Sequence, residues 1–592
     1  MAAILYRKVA LQRLLNVTAS CSKNRQYILR GCTTFFFRCY TQEKTAINDR
    51  TLFLRAREFQ DRTAIIDKNY GESSYKQLLQ LSGVLSQKIS ETCSKKGEKD
   101  LNGKRIAFLC SRDLSYVAVQ WAIWRSGGIA VPLSPSYPTN MMEYFIEDSD
   151  SLLLVTTQEY SHKIKPLVEK KGIAHLEMSD DERTELKEKG LHPTSTEMEV
   201  NDWDDKEAMI FYTSGTTGKP KGVLITHGNI RAQICGMITA WGWTENDRIL
   251  HVLPLHHVHG VINVLSCSLW VGATCVMLQK FDPKEVWQYL TGSSPQLSLF
   301  MAVPTIYAKL IEHYNDCKHN QEMKDHIRTM CSNIRLMVSG SSALPQPTMK
   351  EWYEISGHLL LERYGMTEIG MALSNPLHGP RLPGSVGTPL PGVEVRIVAK
   401  DDQGKELDNQ VGDKKEKVIV EGDEQGSQLH QPELESYRGA LQVCGPSVFK
   451  SYWRKPLATK ESFSKDHWFR TGDDAEYKDG IYKILGRSSV DIIKSGGYKI
   501  SALDVERELL AHPSIKDCAV VGVPDPTWGE RVAAIVSLHS NKNLTLQELR
   551  EWASDRLSEY QNPSVIKLTD ELPRNTMGKV NKKELIKIFF GE

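Results

Sequence analysis

Eleven consecutive residues, Tyr212-Thr-Ser-Gly-Thr-Thr-Gly-Lys-Pro-Lys-Gly222, hold four hydroxyls besides the tyrosine, three glycines and two lysines. They follow the apolar run Met209–Phe211. Glycines let backbone N–H groups close on an anion, and hydroxyls and ammonium groups complete such a nest, so this loop reads as a phosphate cradle. Its candidate ligands are Thr213, Ser214, Gly215, Thr216, Thr217, Gly218, Lys219 and Lys221. It is not a Walker loop: Gly215 and Gly218 stand too close together, and Pro220 rather than Ser or Thr follows Lys219. Three histidines in Leu253-Pro-Leu-His-His-Val-His-Gly260 invite a metal reading, but no acid or thiol accompanies them in the segment.

These groups need a frame. Short apolar runs at 104–110, 128–133, 248–253, 297–303 and 334–338 read as buried strands, and helical patterns at 114–125 and 230–241 lie between them. Alternating strand and helix predicts an α/β unit with largely parallel sheet. From about 385 to 485 the pattern changes to short strands with Gly/Pro turns, a β-rich part. Residues 400–438, rich in charge and Gln, read as an exposed insertion. A last α+β unit from Gly486 has a predicted helix at 503–510, strands at 519–523 and 532–538, and a helix after Thr545. Thr545 and Glu548 suit a capping box, with Leu546, Leu549, Ala553 and Leu557 on one apolar face. The expected division is a leader over 1–42, a large unit over 43–485 and a small C-terminal lid over 486–592.

The 592-residue chain has ordinary globular composition, 40% hydrophobic with 74 Lys+Arg against 73 Asp+Glu, which argues against disorder and gives no bulk-charge case for nucleic acid. Seven of the basic residues and no acid fall within residues 1–42, so the remainder carries six more acids than bases. An acid-free, Arg-containing, weakly amphipathic leader reads as a mitochondrial presequence. The twelve cysteines form no CxxC pair and no zinc spacing, which predicts reduced thiols. The uncharged stretch Gly260–Gln279 contains Asn263, Ser266, Ser268, Gly272 and Thr274 and is expected to be a buried strand–helix segment, not a bilayer span.

Five segments, in order, resemble the signatures of the acyl-adenylate-forming superfamily of acyl-CoA synthetases, luciferases and peptide-synthetase adenylation domains. They are the 212–222 loop, Arg363-Tyr-Gly-Met-Thr-Glu368, Arg470-Thr-Gly-Asp473, the stretch Gly486-Arg487 to Gly497, and Pro573-Arg-Asn-Thr-Met-Gly-Lys579. The resemblance covers essentially everything after the leader. It implies a large α/β domain of layered sheets with a β-rich subdomain and a mobile lid. It also implies an ATP-dependent acid–thiol ligase that forms an acyl-adenylate and then passes the acyl group to CoA.

By that resemblance the 213–221 loop embraces the β- and γ-phosphates, Thr367 contacts the α-phosphate, Glu368 holds Mg²⁺, Asp473 binds the ribose and Arg487 accompanies the nucleotide. Lys579 would bridge the reacting carboxylate and phosphate. Ser495, Gly496, Gly497 and Tyr498 would line the pantetheine channel after the lid turns. The hinge carries one residue more before Asp491 than the usual pattern, leaving Ser489, Val490 and Asp491 as pivot candidates. Asp474 is expected to be an ordinary surface acid.

Arg363 singles out the acid. A guanidinium there is useless to a fatty tail and costly to bury unpaired, but it can fork onto a second carboxylate; the plain alternative is a salt bridge to Glu362 or another acid. Glu362-Arg-Tyr-Gly-Met-Thr-Glu368, Arg381-Leu-Pro-Gly384 and the stretch 489–506 are similar to the malonyl-CoA synthetase branch of the superfamily. That resemblance implies a malonate ligase with Arg363 and His257 on the distal carboxylate, Ser341 and Ser342 as weaker pocket candidates, and methylmalonate as a secondary substrate. With the leader, it implies the mitochondrial matrix, no transmembrane segment and only small-molecule partners. The rivals are a short- or medium-chain monocarboxylate ligase, an adenylation module acting on a carrier, and a nucleotide-binding protein without turnover.

Overall fold

The structure, a computed structural model, describes residues 51–591 except 182–183, 185–202, 214–218, 293–295, 318, 400–417, 431–436 and 575–578. The leader and the centre of the phosphate loop therefore lie outside the described residues. From Leu52 onward the chain is one compact unit.

Two large sheets carry most of it. The first has seven strands in the order Ser451–Tyr452, Lys221–Thr226, Glu207–Thr213, Ile129–Pro132, Arg105–Leu109, Leu153–Thr157 and Ala174–Met178. The five from Glu207–Thr213 onward run parallel, as runs buried on both faces should. The second has nine, with a parallel centre of Leu361–Met366, Leu336–Ser339, Leu299–Ala302, Arg248–His251, Thr274–Met277 and Thr63–Asp67. Antiparallel strands close both of its edges. Helix Leu114–Arg125 is buried on every side, Gln120 and Arg125 included, and so belongs to the core between layers.

A six-stranded antiparallel sheet spans Glu394–Val398 to Ile481–Arg487. Of the stretch 400–438 read as an exposed insertion, 400–417 and 431–436 lie outside the described residues, and part of the rest belongs to this sheet. Val418–Asp423 and Gly426–Leu429 form a hairpin of this sheet, and Val420 is fully buried, so the apolar alternation outweighs the surrounding charge. Beyond it, Ile492–Ser495, Tyr498–Ser501, Ile515–Asp525, Gly529–Leu538 and Val565–Thr569 make a separate five-stranded sheet. It is packed by helices Ala502–Leu509 and Leu546–Ala553, the latter opened by the Thr545/Glu548 capping box.

Gly260–Gln279 reverses its expected order. A π-helical stretch His259–Ser266 and a turn Cys267–Trp270 come first, and the strand Thr274–Met277 follows. A segment apolar on all sides carries no period by which to choose. Among the described residues no helix is long and apolar enough to cross a membrane, and the nine described cysteines are unbridged.

Candidate active site

The antiparallel pair Phe469–Lys478 and Ile481–Arg487 places Asp473 directly opposite Arg487, and Nε of the arginine lies 3.0 Å from Asp473 Oδ1. Tyr364 Oη donates to Asp473 Oδ2 at 2.5 Å, while Arg487 Nη1 donates to the Thr471 carbonyl at 2.6 Å. Burial pushes the Asp473 carboxyl up and Arg487 pulls it back down, so the acid is buried, oriented and strongly coupled.

Glu368 is buried close by, with Thr367 before it. Tyr452 Oη donates to Glu368 Oε1 at 2.9 Å, and desolvation raises the carboxyl. Lys221 Nζ lies 4.9 Å from the centre of the Tyr452 ring, and Lys219 Nζ 5.1 Å from that of Tyr144. Thr213 and Lys221 are cross-strand partners at the end of the antiparallel pair Glu207–Thr213/Lys221–Thr226. Ser214, Gly215, Thr216, Thr217 and Gly218 fall outside the described residues. Glu368 accepts from Tyr452 and from its own backbone N–H, and the lone pairs left on its carboxylate suit a hard cation, so it would be able to hold Mg²⁺.

Arg363 leaves the same strand as Tyr364 and is only 6% exposed. Its Nε and Nη2 have no hydrogen-bond partner among the described residues, and burial lowers the guanidinium to about 9. Glu362 is not its ion-pair partner: it instead accepts the Gly384 N–H at 2.8 Å, and desolvation lifts it to about 7. Gly340 makes room for the guanidinium, because a Cβ there would fall 2.4 Å from Arg363 Nε and 2.5 Å from Cζ.

Ser341, at φ 73°, holds a backbone conformation unusual for a residue with a side chain. Its hydroxyl lies 3.1 Å from His259 Nδ1, and His259 Nε2 is buried without a partner among the described residues. Sequence reasoning chose His257; the structure adds His259, which opens the π-helical stretch and feels the Arg363 charge. His257 stands 5.7 Å, ring to ring, from His256 and within the field of Lys579, and burial drives it down to about 3. Ser342 is exposed.

Lys579 is accessible to solvent, yet the surrounding protein still makes its charge costly. Desolvation lowers its ammonium, as do Arg487 and Arg363, while Asp473 and Glu368 oppose them. The C-terminal lysine therefore shares one electrostatic neighbourhood with the nucleotide-side acids and Arg363. Ser495, Gly496, Gly497 and Tyr498 do not join them. They form a hairpin turn with both glycines at positive φ, and Tyr498, 53% exposed, stacks on Tyr560.

At the hinge, Ser489 is exposed and Asp491 is buried. Asp491 Oδ2 accepts the Arg487 N–H at 2.8 Å, and Oδ1 lies 2.6 Å from Lys582 Nζ, which also lies 2.7 Å from Glu506. Asp474 is not a surface acid. It is 7% exposed and accepts the Ser488 hydroxyl at 2.6 Å, because the bulge after it turns its side chain inward.

Comparison with known proteins follows the same geography. Residues 52–453 match the AMP-binding enzyme family and residues 504–579 the AMP-binding enzyme C-terminal domain. A mitochondrial malonate–CoA ligase of Mus musculus is 53% identical over 542 residues, 90% of either chain. The Homo sapiens protein of the same name is 51% identical over 549 residues, 92% of this chain and 93% of its own. ATP-bound MatB from Rhodopseudomonas palustris superposes with a TM-score of 0.75 at 29% identity, covering 91% of this chain and 98% of that one. A malonyl-CoA ligase ternary product complex with methylmalonyl-CoA and AMP gives 0.57 at 28% identity, over 87% and 97% of the two chains.

Proposed function

The chain belongs to the AMP-binding enzyme family, and we propose that it is a malonate–CoA ligase converting malonate, ATP and CoA to malonyl-CoA, AMP and pyrophosphate. One observation carries the choice of acid: a buried guanidinium, Arg363, with two nitrogens unpartnered among the described residues, in the electrostatic neighbourhood of Lys579. A monocarboxylate would leave that cation stranded, whereas a dicarboxylate neutralises it with its far end and presents its near end to ATP.

Arg363, His259, Ser341 and His257 hold the distal carboxylate, and burial keeps the two histidines neutral, each imidazole then carrying one donor and one acceptor nitrogen. Asp473, held by Arg487 and Tyr364, accepts from the ribose hydroxyls. The 213–221 loop and Thr367 take the phosphates. Glu368 would hold Mg²⁺, which would neutralise charge building on the leaving pyrophosphate.

In the first step an oxygen of the near carboxylate attacks the α-phosphorus and pyrophosphate leaves. Lys579, between carboxylate and phosphate, offsets the negative charge of that transition state. In the second step the lid, residues 486–592, turns about the 489–491 hinge, Lys579 withdraws and the 495–498 hairpin guides CoA. The thiolate then attacks the acyl carbon and AMP departs. Asp491 is the better pivot candidate than Ser489, since its carboxylate contacts both the preceding strand and the C-terminal helix.

The relatives' mitochondrial names and the basic leader support a mitochondrial protein, and we place it in the matrix. There malonyl-CoA would feed fatty-acid synthesis and malonate would be cleared. Methylmalonate, one methyl larger, is a secondary substrate. The test is AMP formation with malonate, acetate and octanoate, with and without CoA, in wild type and Arg363→Ala. Malonate kcat/KM falls by about 2–5 kcal/mol in the variant while acetate changes far less. Equal losses for both acids, or octanoate preferred by wild type, would sink the assignment.

A further inference from the structure

Glu362 and Arg363 leave adjacent positions of one strand, so they face opposite sides of it. Arg363 enters the acyl site. Behind the strand, Glu362 Oε1 accepts the Gly384 N–H at 2.8 Å, and the charge of Arg507 acts on the Glu362 carboxylate. Arg507 belongs to helix Ala502–Leu509, beyond the hinge. Its guanidinium packs directly on Gly384, where a Cβ would come within 2.6 Å of Arg507 Cζ and 2.7 Å of Nη2. Gly384 also sits at φ 77°, so both backbone and space require glycine.

One turn earlier, Asp504 Oδ1 lies 2.9 Å from Arg507 Nη1 and 2.8 Å from Nζ of Lys483, a residue of the strand just before the hinge. The Lys516–Glu312 pair, 3.9 Å apart and exposed on both sides, contributes little by comparison. A half-buried arginine in a glycine notch, with an acid on either side and a lysine across the hinge, has the build of a docking contact.

We propose that Arg507, seated on Gly384 and tied through Asp504 to Lys483, latches the lid in the orientation that brings Lys579 to the acyl and nucleotide groups. Arg507 is then a positioning residue for adenylation alone, and it must leave its notch before CoA attacks. The proposal rests on the two-step ligase reading. It adds a prediction that reading does not make: loss of the latch separates the half-reactions.

The experiment uses full-length wild type, Arg507→Met, Arg507→Lys and Lys483→Met, each checked for an unchanged Tm. Malonate-dependent exchange of pyrophosphate into ATP reads adenylation. Single-turnover thioester formation from supplied malonyl-adenylate and CoA reads the second step. In Arg507→Met adenylation falls roughly tenfold and thioester formation holds or rises, because the lid orientation, not the chemistry, has shifted. Lys483→Met shows the same split more weakly, and Arg507→Lys recovers part of the loss.

Hydrogen exchange over residues 380–387 gives a reading independent of substrate, since the Gly384 amide lies beneath the arginine. It quickens in Arg507→Met. Equal falls in both half-reactions, no fall in either, or unchanged exchange over 380–387 overturns the latch. A wild-type chain without malonate-dependent exchange refutes the malonate reading instead, and the amide measurement then decides the latch by itself.

Discussion

Gly340→Ala is the sharpest single perturbation of the acyl site, because it adds one methyl and removes nothing. The new Cβ would stand 2.4 Å from Arg363 Nε, 2.5 Å from Cζ and 2.8 Å from Cδ. Ordinary contact distance is about 3.5 Å, so the guanidinium has to retreat by roughly 1 Å. Gly340 is not among the glycines at positive φ, so alanine is acceptable to the backbone and the methyl acts by volume alone. A misplacement of about 1 Å in a positioning group commonly costs about 100-fold, or roughly 2.7 kcal/mol. Malonate kcat/KM is therefore expected to fall about 100-fold, with acetate changed less than about threefold. Initial rates of AMP release with each acid, beside a melting curve, make the assay. The double variant adds a second check: with Arg363→Ala already present, Gly340→Ala costs less than about 0.5 kcal/mol more. Parallel losses for malonate and acetate, or full additivity in the double variant, would refute the idea that Gly340 exists to seat the guanidinium.

Lys579→Ala lowers malonate-dependent pyrophosphate exchange by about 100-fold or more while thioester formation from supplied malonyl-adenylate persists; equal loss of both steps would contradict its adenylation role. Tyr452→Phe removes the hydroxyl donor that opposes the desolvation of Glu368, so that carboxyl rises further. The acid limb of kcat/KM for ATP then moves to higher pH, and an unmoved limb would count against the contact. His227, wedged edge-on between Trp124 and Trp203, is held down to about 3 by burial. Its unfolded form titrates near 6.5, so the unfolded chain binds the extra proton and stability is lost as pH falls below that value. At pH 5 the penalty is about 2 kcal/mol. His227→Phe should gain on wild type in urea unfolding at pH 5 relative to pH 8, and an equal difference at both pH values would refute the assignment.

What could be read from the residues depended on whether their meaning was local. Helix Leu114–Arg125 has the bounds its composition predicts, and the Thr545/Glu548 capping box forms as its spacing requires. Polarity misled wherever partners come from far along the chain. Asp474 looks like any surface acid until the strand bulge presents it to Ser488. Lys582 sits in a basic run that suggests solvent, yet its side chain is only 9% exposed, held between Asp491 and Glu506. Charge density over 400–438 masked the short alternation that puts Val420 in the core. His259 is missed because spacing within a run of three histidines does not show which one the winding turns toward Ser341. Gly340 carried no signal either, since its use is defined by a side chain twenty-three positions later.

The largely shielded Asp491–Lys582–Glu506 cluster bears on how motion at one end of the lid reaches the other. Lys582 lies three positions beyond Lys579, at the start of helix Lys582–Phe590, and clamps that end to Asp491, the proposed pivot. In the proposed rotation the lysine's arm and its axle are one rigid piece, so an angular change at residue 491 is delivered to the ammonium without slack. Timing between the two chemical steps then resides in the turn at 487–491, and softening the cluster would blur when the charge arrives, not how strongly it acts.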